Sequence, residues 1–229
     1  MSAGMPMPGG WTMSMMWMRM PGQTWPGAAA SFVEMWIMMM AAMMLPSLIA
    51  TLLRNGQVFS GPSRARLASL TALAGVGYFF VWTAIGLAVF PLGVALAAAA
   101  MQEPTLARAA PLAGGVVVLI AGAFQCTACK ARRLACCRRA RGHGSMPTAG
   151  VAAACRHGVD IGLQCAACCG NLMAIPLVMG IMDLRVMAVA TAAITIERVA
   201  PDGDRVAWTI GVAVVGAAML LIARAAAHV

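Results

Sequence analysis

The chain has 229 residues, 62% of them hydrophobic and only 10% charged, where soluble domains run nearer a quarter charged. So apolar a chain cannot cover a water-facing surface, which excludes an ordinary soluble globular domain and makes the lipid bilayer its solvent. The net charge of +9 would point to nucleic acid in a soluble protein, but the Lys and Arg residues fall between apolar runs, as cytoplasmic loops require. No nucleic-acid-binding motif accompanies them.

Residues 1–30 form a Met/Pro/Gly/Trp-rich tail whose only charged side chain is Arg19. Pro6, Pro8, Pro21 and Pro26 work against a continuous helix there. Residues 13–20 hold five methionines, either as an interfacial segment anchored by Trp or as a thioether site suited to Cu(I). No cleavable signal peptide is evident, so the first span serves as an uncleaved insertion signal.

Residues 31–226 read as one all-α membrane domain, a polytopic helix bundle of five or six transmembrane helices. The first span is expected over about 31–53, with Glu34 near its start and a kink at Pro46. Met35, Met39 and Met43 share one helical face, as packing or as a ligand stripe. The second span covers about 70–90, with Pro91-Leu92-Gly93 bending or extending it toward residue 100, and the third covers about 109–124. A Cys/Arg-rich loop follows at about 125–158, with six positive charges in residues 130–141. Those charges, with the Arg54–Arg66 stretch, fix one face as cytoplasmic and the N-terminal tail as extracytoplasmic. A fourth span is expected over about 159–182. A segment reaching Ile196 is short for a crossing, and the last span covers about 206–223. Asp160, Asp183 and Glu197 are expected to pair with Arg156, Arg185 and Arg198 as interface ion pairs, with a proton or metal path as the other reading.

The eight cysteines cluster as C-x-x-C and C-x-x-C-C beside apolar runs. That pattern favours metal or redox thiols over a disulfide framework. On a helix, Cys165 and Cys169 are one turn apart, Cys168 lies beside them, Met173 follows by four, and His157 precedes by about two turns. Such a set makes a soft-metal site, with Cu(I) the best match and zinc the second; otherwise these residues simply pack helices. Cys126 and Cys129, with Cys136 and Cys137, form either a second site, a thiol–disulfide pair, or inert interfacial thiols. Neighbouring Lys130, Arg132 and Arg138 favour thiolate there.

Several motifs resemble the predicted metal-binding integral membrane protein family (domain of unknown function 2182). They are Met35-Trp36 with Met39-Met40-Ala41-Ala42-Met43-Met44-Leu45-Pro46-Ser47, Gly77-Tyr78 with Val81-Trp82, and Ala121-Gly122 with Gln125 and Lys130. Cys165-x-x-Cys168-Cys169 with Leu172-Met173, Gly180-Ile181-Met182-Asp183-Leu184 with Met187, and Glu197-Arg198 follow in order. The resemblance implies an all-helical protein of the bacterial inner membrane that binds metal. The chain departs from it at Asp183 and Glu197-Arg198, where the family tends to Asn and Glu-Lys, and in its extra cysteines and Met-rich tail.

The resulting expectation is a membrane protein that handles copper as Cu(I) through Cys and Met, passing it to a metal-receiving protein. The alternative is a non-catalytic accessory subunit of a larger membrane complex. No hydrolase, nucleotide-binding or kinase signature is present.

Overall fold

A computed structural model describes residues 4–7, 11–54, 64–142, 150–181 and 183–227. The connection expected at 55–63 and the side chain of Pro46 lie outside the described residues. A short hairpin opens the chain, β1 (Gly4–Pro6) pairing antiparallel with β2 (Thr12–Ser14), followed by a 3₁₀ turn at Met15–Trp17. Among the described residues, helices follow: α1 (Trp25–Arg54), α2 (Arg64–Gln102), α3 (Pro104–Gln125), α4 (Ala128–Gly142), α5 (Gly150–Met179), α6 (Leu184–Val199) and α7 (Gly203–Ala227).

Among the described residues, stretches of α1, α2, α3, α5 and α7 are long and apolar enough to cross a membrane, which is the make-up of a multi-pass membrane protein. There is no sixth such helix among the described residues. Helix α6 has 16 residues, about 24 Å at 1.5 Å per residue, short of the ~30 Å hydrocarbon core. It starts where it does for local reasons. Gly180, at φ +133°, takes a backbone angle that favours glycine and ends α5, and the Asp183 carboxylate accepts from the backbone N–H of Arg185 (2.8 Å) and Val186 (3.4 Å) as an N-cap.

Two expectations change. The Cys/Arg-rich loop is largely helical: α4 buries Lys130, Leu134 and Cys137 at i, i+4, i+7 and exposes Arg132, Arg133 and Cys136. The fourth span begins at about residue 150, nine residues earlier than expected, so Cys165 stands halfway along α5 rather than near its mouth. Pro91 lies inside a helix that continues to Gln102.

Close backbone approach sets the packing. A Cβ on Gly77 would collide with the backbone carbonyl of Cys155, and one on Gly158 with the backbone of Ala74. Helices α2 and α5 therefore touch backbone to backbone, as small residues permit in membranes. The core joins Phe32, Trp36, Met40, Met43 and Met44 of α1 to Trp82 and Phe90 of α2, Cys165, Cys169 and Met173 of α5, and Ile194 of α6. Outward faces carry exposed Phe80, Leu96, Ile120, Leu163 and Leu220, as lipid contact requires. The N-terminal segment docks on this bundle: Trp17 lies 5.3 Å from Phe32, centroid to centroid, and the Trp11 indole N–H donates to the Ala107 carbonyl at 2.8 Å.

Candidate metal centre

Three sulfurs meet halfway along α5. Cys165 Sγ and Cys169 Sγ are 3.8 Å apart, one helical turn having stacked them. Met44 Sδ, from α1, lies 3.9 Å from Cys165 Sγ. All three side chains are buried. Tyr78 of α2 places its hydroxyl 3.1 Å from Cys165 Sγ, held there by the Gly77–Gly158 approach one residue away.

A cation completes the cluster. Arg198, near the end of α6, donates from Nη2 to Cys165 Sγ at 2.8 Å and approaches Cys169 Sγ at 3.5 Å. An arginine buried beside two sulfurs is costly unless the sulfurs carry or develop negative charge.

The neighbouring charge network holds α6 in place. Lys130 Nζ and Glu197 Oε2 form a 3.0 Å ion pair, both side chains fully or nearly fully buried. The same ammonium donates to the Cys168 carbonyl at 2.6 Å and approaches Asn171 Oδ1 at 3.5 Å. Asn171 Nδ2 donates in turn to Gln125 Oε1 at 2.6 Å and to the Ala121 carbonyl at 3.2 Å. The pairing expected between neighbours in sequence is thus replaced: Glu197 turns to Lys130 on α4, Arg198 turns to the thiols, and Asp183 caps a helix. Adjacent residues on a helix point about 100° apart, so Glu197 and Arg198 reach different partners.

The three thiols of the C-x-x-C-C motif do not share one point. Cys168 enters a separate small buried cluster with Leu134 and Cys137 of α4 and Ala207 of α7. Among the described residues, no three His, Cys, Asp or Glu side chains gather where they could hold one ion. Of the other expected ligands, Met39, Met43 and Met173 are buried in the core around Cys165 and Cys169, and Met35 is half-buried against it. His157 is half-buried two turns before Cys165, about 12 Å along the axis and out of bonding reach. Cys126 and Cys129 are exposed, with Cys126 Sγ 3.8 Å from the Trp208 carbonyl at the α3–α7 contact.

Sequence reasoning missed Met44, Arg198 and Lys130 as members of this site. Met44 sits one residue past the stripe chosen by the i, i+4, i+8 rule, and the face that turns inward carries Trp36, Met40, Met43 and Met44. Lys130 carried a signal in its identity, since it is the one lysine among sixteen basic residues.

A protein-family model described as PpoB2, copper chaperone, matches residues 33–221, about four fifths of the chain and every residue of the centre. Comparison with curated proteins and with solved structures gave no match.

Proposed function

The chain belongs to the copper chaperone family whose model it matches, and from that premise we propose that it binds Cu(I) at Cys165 and Cys169, with Met44 as a third, thioether donor. The observation that carries this reading is the Arg198 guanidinium 2.8 Å from Cys165 Sγ. A soft thiolate and thioether set selects Cu(I). Two thiolates around Cu(I) carry one net negative charge, and Arg198 cancels it inside a low-dielectric core. The same set around Zn(II) would be neutral before Arg198 is counted and cationic after it, so charge favours copper over zinc. Spacing permits a shared ion without choosing between the two metals: two thiolates about 2.3 Å from one tetrahedral ion stand about 3.8 Å apart, against 3.8 Å here.

In this reading copper is cargo. Binding releases two thiol protons and forms two Cu–S bonds, and the ion stays at +1. The Met-rich tail lies outside the cytoplasmic membrane of a bacterium and collects Cu(I). The buried methionines Met39, Met43 and Met44 carry it by thioether exchange to Cys165, and a metal-receiving protein takes it onward. Support for the route is the continuous core from Met16 and Trp17 through Phe32 to Met44 and Cys165.

The test is competition of the purified, detergent-solubilised protein against a chromophoric Cu(I) chelator, run in parallel with a Zn(II) indicator. Tight Cu(I) retention that vanishes in Cys165→Ser/Cys169→Ser, with weak zinc retention, is expected. Equal copper retention by that variant would overturn the assignment.

A further inference from the structure

The Cys137 and Cys168 thiols are a second pair that the centre above does not use. Cys137 comes from the last half of α4 and Cys168 from the middle of α5, 31 residues apart in the chain. They meet in a buried cluster closed by Leu134 and Ala207. Cys137 is 4% exposed and Cys168 1%. Cys137 Sγ also donates to the Gln164 carbonyl at 3.4 Å, which aims it at α5. Two thiols brought together from separate helices and shielded from water have what a soft cation needs.

The surroundings supply the charge. Arg133, one turn before Cys137 on α4, donates from Nη1 to the Ala167 carbonyl at 3.1 Å, beside Cys168. Lys130 donates to the Cys168 carbonyl itself. Its charge is shared with Glu197, and Arg133 itself is exposed over the Phe124 ring, so Lys130 is the buried cation beside Cys168.

We propose that Cys137 and Cys168 form a second Cu(I) site, a two-thiolate station at the α4–α5 contact. The proposal rests on the reading of Cys165 and Cys169 as a copper centre but uses different side chains. Binding removes one proton from each thiol and forms two Cu–S bonds. Copper remains at +1, and the Lys130 ammonium lies beside the single negative charge of the complex.

The test starts from full-length protein carrying Cys126→Ser, Cys129→Ser, Cys136→Ser and Cys155→Ser, so that only the two buried pairs remain. Cu(I) is added as its acetonitrile complex, excess is removed with a chelator, and copper per chain is counted by native mass spectrometry. Two ions per chain are expected, falling to one when Cys137→Ser and Cys168→Ser are added and to one when Cys165→Ser and Cys169→Ser are added instead. A count unchanged by losing Cys137 and Cys168 overturns the second site alone. A count unchanged by losing Cys165 and Cys169 overturns the first. Should the serine variants not fold, Cys137→Met in the otherwise native chain decides. The thioether keeps a soft donor at that position, so the native count is retained if Cys137 is a ligand, whereas Cys137→Leu, of similar volume, lowers it by one; equal counts for Met and Leu overturn the proposal.

Discussion

Two C-x-x-C groups with the same spacing meet opposite fates. Cys126 and Cys129 flank the turn between α3 and α4 and stay exposed. Cys165 and Cys168 lie halfway along α5, and there the spacing itself misleads, because the sulfurs that converge are Cys165 and Cys169, at i and i+4. Residues three and four apart both lie on one side of a helix, and here it is the neighbouring helices, α4 and α7 at Cys168, that draw the third thiol into a different cluster. What distinguishes the buried pair is its setting: a thioether from α1, a phenol from α2 and a guanidinium from α6. At the exposed group, the partner in view is a backbone carbonyl of α7. Motif spacing nominates thiols, and the surrounding helices decide what the thiols can do.

The strongest way to sharpen that contrast is to remove each pair in turn. Cys165→Ser/Cys169→Ser should abolish Cu(I) retention at the buried centre, while Cys126→Ser/Cys129→Ser should leave that ion in place; chelator competition reads both. Next is the network behind the centre. Lys130→Ala would leave the Glu197 carboxylate buried without its cation, at a cost of about 3–5 kcal/mol, read as a lower unfolding temperature in detergent. Lys130→Met with Glu197→Met, which removes both charges, should be far milder. If the single and double variants are equally destabilised, the pair does not hold α6 to α4.

Smaller effects probe the electrostatics. Arg198→Lys keeps the charge but loses the planar guanidinium reaching both sulfurs. It should weaken Cu(I) retention by about tenfold, ~1.4 kcal/mol, whereas Arg198→Leu should weaken it further and raise zinc retention relative to copper. A zinc-to-copper ratio unmoved by Arg198→Leu would contradict the charge argument. The least change is expected from Met44→Leu, a swap of similar volume with a packing cost under about 1.5 kcal/mol. It should loosen Cu(I) without unfolding the protein, and equal binding would restrict the donor set to the two thiols.

Much of the fold was legible from apolar run lengths, because a bilayer imposes them. Five spans, the short segment before residue 200 and the polar turns all follow from ~20 apolar residues per crossing. The helical character of α4 was hidden by its arginines, which read as a solvated loop. Its buried stripe of Lys130, Leu134 and Cys137 mixes a charge, an aliphatic chain and a thiol, and no hydropathy pattern marks that as an inward face. Cys165 and Cys169 were found because thiols one turn apart are an intra-helix feature. Met44, Tyr78 and Arg198 arrive from three other helices, and no periodicity within one segment reports what a neighbouring helix will present.

The most direct measurement is copper K-edge X-ray absorption on the purified chain carrying one equivalent of Cu(I). A Cu(I) edge with a sulfur-only first shell, lost in Cys165→Ser/Cys169→Ser and retained in Cys126→Ser/Cys129→Ser, is the predicted result. A first shell of nitrogen or oxygen donors, or a sulfur shell that survives loss of Cys165 and Cys169, would contradict it.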